Sequence, residues 1–162
     1  MWDNFLQQIQ SGDRKSLARC ISMIENEVPG FEHFMQLLPM VDKPVIGITG
    51  APGAGKSTLT DALIGLYVQA GKKVAVLCVD PSSPFNSGAL LGDRIRMSKW
   101  YNEPAVYIRS LATRGSLGGL HPKIIEVSDL LKAADFDYII VETVGVGQSE
   151  IEIAGLADVT VV

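Results

Sequence analysis

The apolar positions of this chain change rhythm near residue 44. Before it, Leu17, Cys20, Ile21, Ile24 and Val28 recur at helical spacing, and Asp13 stands where an N-cap would accept from the first free backbone N–H groups. Val28, Pro29 and Gly30 break that stripe. Phe31, Phe34, Met35 and Leu38 then predict another short helical piece ahead of Pro39. From Pro44 onward, short unbroken apolar runs at 45–49, 74–79, 106–109 and 138–141 read as buried strands. Helices are predicted over 57–69, near 93–101 and over 122–134, with Gly71 placed as a glycine after a helix end. The run 158–162 begins one more strand. Continuous apolar strands alternating with helices imply an α/β domain, its mainly parallel sheet covered by helices on both faces. The expected organisation is an N-terminal helical extension over 1–42 and an α/β domain over 43–162. That domain reads as incomplete, because no helix follows the last strand.

Composition narrows this picture. The 162 residues suffice for one domain with a real core, and 47% hydrophobic with 20% charged content is that of a soluble globular protein. A formal net charge of -4 argues against a general nucleic-acid or anionic-membrane surface, while leaving room for a local basic pocket. Cys20 and Cys78 are far apart and lack metal-ligand spacing, which fits a reducing compartment. The N-terminus shows no secretory pattern and no apolar run is long enough to span a bilayer, so a cytoplasmic location is expected.

The chemistry begins at Gly50-Ala51-Pro52-Gly53-Ala54-Gly55-Lys56-Ser57, which matches G-x-x-x-x-G-K-[ST] in full between a predicted strand and a predicted helix. Its glycines permit backbone conformations that turn successive N–H groups inward as an anion nest. The helix that continues through Thr58 offers its N-terminal donors and positive dipole end to phosphates. Lys56 would set a charge on the β- and γ-phosphates, and the Ser57 hydroxyl would reach Mg²⁺. The cradle is therefore read as the P-loop of a nucleoside-triphosphate-binding protein.

Such a cradle needs an acid at the end of a buried strand. Glu142 supplies one, where many P-loop enzymes carry aspartate, and Thr143-Val144-Gly145 follows at once. Gly145 would bring a backbone N–H to the γ-phosphate, in a loop that responds to loss of that group. Asp80 ends the second strand and serves equally as a metal-side acid or as a turn former before Pro81. Asp93 either caps the helix expected there or faces Mg²⁺ and the attacking water. Arg114, in the glycine-rich stretch 112–120, reads as a surface charge, and His33 and His121 read as structural.

Five blocks taken together resemble the MeaB/ArgK/MMAA family: the cradle, residues 79–84, residues 91–97, residues 112–120 and residues 142–150. They occur in the same order, and the resemblance runs from about residue 10 to the end of the chain. It implies a GTPase that acts as chaperone for an adenosylcobalamin-dependent acyl-CoA mutase, chiefly methylmalonyl-CoA mutase, gating cofactor delivery and protecting the mutase. Lys56 and Ser57 would hold phosphate and Mg²⁺. Asp80, Asp93 and Glu142 would be the acids around the metal and the water. Residues 81–96 and 143–150 would be the two switches. Glutamate at 142 is normal in that family. Its members are about twice this long and carry a guanine-reading [N/T]-K-x-D element and dimer-forming helices, neither of which stands in these residues. GTP over ATP is thus implied by the resemblance alone, and a dimer of the family's kind is not expected. With no arginine placed as a finger, turnover is expected to be slow and partner-stimulated. The competing reading is a P-loop small-molecule or protein kinase using ATP, which would add a basic lid and an acceptor pocket.

Overall fold

Residues 2–51, 55–80, 98–112, 123–143 and 149–162 are described by the computed structural model. The chain divides into two units, Met1–Lys43 with Lys123–Phe136, and Pro44–Pro122 with Asp137–Val162.

The first unit is helical. It holds α1 (Trp2–Gln10), α2 (Arg14–Glu25), α3 (Phe31–Leu37) and α5 (Ile124–Ala133). The stripe read from the sequence is its core: Leu17, Cys20, Ile21 and Ile24 are buried on α2, joined by Phe5, Ile9 and Phe34. Asp13 caps α2 as expected, its side chain accepting from the backbone N–H groups of Lys15 and Ser16. Helix α1 was not anticipated, although Phe5 and Ile9 stand four apart on its buried face. Trp2 rests 4.9 Å from the Phe34 ring and donates its indole N–H to the Pro29 carbonyl at 3.0 Å, which joins α1 to the turn before α3. The helix expected over 122–134 is α5. It belongs to this unit, where the Lys123 ammonium lies 2.7 Å from Glu27 and Arg14 lies over the Phe136 ring.

The second unit is the α/β part. Its strands are β1 (Val45–Ile48), β2 (Val74–Asp80), β3 (Val106–Ala112), β4 (Tyr138–Thr143) and β5 (Val159–Val161), with helices α4 (Lys56–Gln69) and α6 (Ser149–Leu156). The strands form one sheet in the order β3-β2-β4-β1-β5, and every pairing is parallel. On one face, Ile64 of α4 packs with Ile48, Val74, Val76, Cys78 and Ile140. On the opposite face, Gly47 of β1 meets α6, where an alanine methyl would stand 2.3 Å from Ile153 Cγ2. Helices thus cover both faces of a parallel sheet, as the alternation of apolar runs implied. Of the helix expected near 93–101, residues 98–100 form a single 3-10 turn and residues 93–97 lie outside the described residues.

Candidate functional site

Strand β1 delivers the chain to the cradle. Its last residues are buried between β4 and β5, and the Thr49 N–H donates to the Val161 carbonyl at 3.0 Å. The backbone then turns at Gly50, with φ +135°, and enters α4 from Gly55, with φ +98°. Both values lie where an L side chain would be strained, so the glycines at the two ends of the motif answer a backbone demand. Pro52, Gly53 and Ala54 lie outside the described residues.

Helix α4 starts at Lys56, so Lys56, Ser57 and Thr58 occupy its first turn, where backbone N–H groups have no carbonyl of the helix to meet. The Lys56 ammonium reaches back and donates to the carbonyls of Gly50 and Ala51. The Ser57 hydroxyl donates to Glu142 Oε1 at 3.1 Å, across 85 residues of sequence. That contact follows from the sheet order. β4 lies directly beside β1, and the register pairs Ile48 with Glu142. The strand-end acid is therefore held at the mouth of the cradle, 2% exposed and still facing a hydroxyl. A serine hydroxyl beside a carboxylate is a pair of hard oxygen donors, the set that suits Mg²⁺. Among the described residues, Ser57 and Glu142 are the oxygen donors that meet at this point.

The other sequence candidates divide into two groups. The backbone of Asp80 ends β2, one residue beyond the row in which Val79 pairs with Thr143, so it stands at the same carboxyl edge of the sheet as the cradle. In parallel α/β sheets that edge is where ligands bind. Asp93, Arg114, His121 and Gly145 lie outside the described residues.

Sequence reasoning missed one element of the site. Thr143 donates its hydroxyl to Thr49 Oγ1 at 2.9 Å, and the two residues are 1% and 2% exposed. This buried bond joins the residue before the cradle to the residue before 144–148. A threonine at each of two strand ends was the available signal, but only the neighbouring positions of β1 and β4 make them a pair.

A protein-family model described as methylmalonyl Co-A mutase-associated GTPase MeaB matches residues 17–162. The chain belongs to the MeaB family. This MeaB-family chain is 47% identical over 163 residues to a putative GTPase of Pyrococcus abyssi, an alignment covering 99% of the chain and 50% of that relative. It is 42% identical over 167 residues to a fused isobutyryl-CoA mutase of Geobacillus kaustophilus, covering 96% of the chain and 15% of the larger protein. Among solved structures it resembles a LAO/AO transport system kinase, with a TM-score of 0.73, 34% identity, and coverage of 98% of this chain and 48% of that one. The chain spans about half the length of the first curated relatives it matches. Among the described residues, no helix is long and apolar enough to cross a membrane.

Proposed function

We propose that this MeaB-family chain binds GTP and GDP with Mg²⁺ and hydrolyses GTP, as the nucleotide-sensing part of a chaperone for an adenosylcobalamin-dependent acyl-CoA mutase. The observation that carries the reading is the meeting of Ser57 and Glu142 at 3.1 Å, at the first turn of a helix preceded by the Gly50–Gly55 turn. Residues 50–58 would hold the phosphates, with Lys56 leaving the Gly50 and Ala51 carbonyls for the β- and γ-phosphate oxygens. Mg²⁺, held through Ser57 with Asp80, Asp93 and Glu142 around it, would supply neutralisation of the phosphate charge. Water attacks the γ-phosphorus in line, the bond to the β,γ-bridging oxygen breaks, and GDP and phosphate leave; the chain's share is positioning and charge stabilisation. The Gly145 segment, tied to the cradle's entry through Thr143 and Thr49, would follow the γ-phosphate. Association with a mutase draws support from the family's description and from the relative in which a matching segment is fused to isobutyryl-CoA mutase.

Calorimetric titration of GTP, GDP and ATP in the presence of Mg²⁺ tests the nucleotide reading. Guanine nucleotides should bind, and Lys56→Ala should weaken GTP binding about 10- to 100-fold, the worth of a charge-assisted contact to phosphate. Absence of nucleotide binding would refute the reading. Comparable ATP and GTP affinity would assign the choice of base to residues outside this chain. The name of the solved relative keeps a kinase reading in view. Transfer of the γ-phosphate to a metabolite or protein, rather than to water, would decide for it.

A further inference from the structure

We propose that Asp61 positions Trp100 beside the nucleotide site: it fastens residues 98–100 to the phosphate-binding helix, so that Trp100 registers the bound nucleotide. The inference rests on the nucleotide-binding reading above.

Asp61 lies on α4 four residues after Ser57, one turn further along the same side of the helix. Both of its carboxylate oxygens are used by one short segment. Oδ1 accepts from the Trp100 indole N–H at 2.7 Å, and Oδ2 accepts from the Lys99 ammonium at 2.7 Å. The Lys99 ammonium also stands 5.1 Å from the Trp100 ring centroid. The indole lies over Gly65, one turn beyond Asp61, with Cη2 and Cζ2 at 3.8 and 3.9 Å from the position of an added Cβ. Carboxylate and bare helix surface thus form one seat for the ring, and the ring in turn packs against the cluster built on Ile48, Ile64 and Ile140.

An ion pair as exposed as Lys99 with Asp61, at 57% and 32%, adds little stability alone. The indole bond and the ring packing make the anchor. Its place in the chain gives it a function. The anchor seats residues 98–100 on the very helix that begins with Lys56 and Ser57. A shift of the first turn of α4 on binding phosphate reaches Asp61 through a single turn of helix, and Trp100 through a single hydrogen bond.

Trp2 and Trp100 are the two tryptophans. Trp2→Phe keeps an aromatic ring against Phe34 and leaves Trp100 as the sole indole emitter. In that background, saturating Mg²⁺-GTP should shift the Trp100 emission, and Mg²⁺-GDP should shift it less. Asp61→Ala should abolish the shift while calorimetric GDP affinity stays within about threefold, because the phosphates are held by the cradle and not by Asp61. Asp61→Asn, which keeps an acceptor for the indole, should restore it. Asp61→Glu keeps the charge but moves the carboxylate by a methylene, and should lose the shift as Asp61→Ala does; it serves if the alanine variant does not fold. An unchanged shift in both Asp61→Ala and Asp61→Glu overturns the proposal, as does a silent Trp100 when calorimetry shows nucleotide bound. If calorimetry shows no nucleotide binding to the unchanged chain, the nucleotide reading itself falls and the inference falls with it.

Discussion

Replacing Gly47 by alanine puts a methyl group where Ile153 already stands. The added Cβ would lie 2.3 Å from Ile153 Cγ2 and 3.1 Å from the Ala157 methyl. Carbon atoms in ordinary contact are about 3.5–4.0 Å apart, so α6 must retreat from β1 by roughly 1 Å or Ile153 must leave its rotamer. Ile153 is fully buried and branched at Cβ, and its Cγ2 cannot swing away without turning the whole side chain. Overpacking of this kind costs about 1–3 kcal/mol. At about 2–4 °C per kcal/mol for a chain of this size, the melting temperature should fall by about 2–12 °C. Thermal unfolding followed by circular dichroism reads this directly, and a double-mutant cycle identifies the cause. Ile153→Ala removes Cγ2, so Gly47→Ala should cost much less in that background; Ile153→Val retains Cγ2 and should give no relief. The reasoning is refuted if Gly47→Ala melts with the unchanged chain, or if valine relieves the cost as well as alanine does.

The buried hydroxyl pair should be sensitive to Thr143→Val, which keeps the shape but removes the donor to Thr49; the expected loss is about 1–3 kcal/mol in urea unfolding, and an unchanged midpoint would deny the bond a role. Acid should weaken the anchor on α4. Partial burial raises the Asp61 carboxyl, but the bonds from Lys99 and Trp100 outweigh it and hold it below 3.8, so its contribution is present above that pH and is lost as pH falls through the lower folded value. The stability difference between the unchanged chain and Asp61→Asn, read as melting temperature from neutral pH downward, should therefore shrink only below about pH 4. Burial pushes the Cys20 thiol up to about 12, and Cys78 is also buried, so a disulfide-exchange reagent at mildly alkaline pH should label neither thiol in the folded chain and both in denaturant. Rapid labelling of the folded chain would contradict the packing of α2 and β2.

The sequence by itself determined the features whose physics is local. The glycine spacing of residues 50–55 announced a backbone that must take positive φ, and the described ends of the loop, Gly50 and Gly55, do so. The stripe of Leu17, Cys20, Ile21 and Ile24, with Asp13 ahead of it, specified a capped helix because periodicity and capping act within a few residues. Unbroken apolar runs specified the buried central strands β2 and β4, whereas the run at 106–109 became the edge strand β3, half-buried over Tyr107–Arg109. The helix Ser149–Leu156 was hidden because its apolar residues show no single stripe and it follows a glycine-rich run that reads as loop.

What lay beyond the sequence was which strands are neighbours. The order β3-β2-β4-β1-β5 places Glu142 beside Ile48, and from that adjacency follow the Ser57 contact and the Thr143–Thr49 bond. Likewise, Asp61 and Trp100 stand 39 residues apart, and no local pattern marks them as partners. Helix Ile124–Ala133 shows the same limit from the other side: its apolar positions were legible, but its place with residues 1–43 was not. Hydrophobic patterning says that a surface must be covered; only the packed chain decides by what.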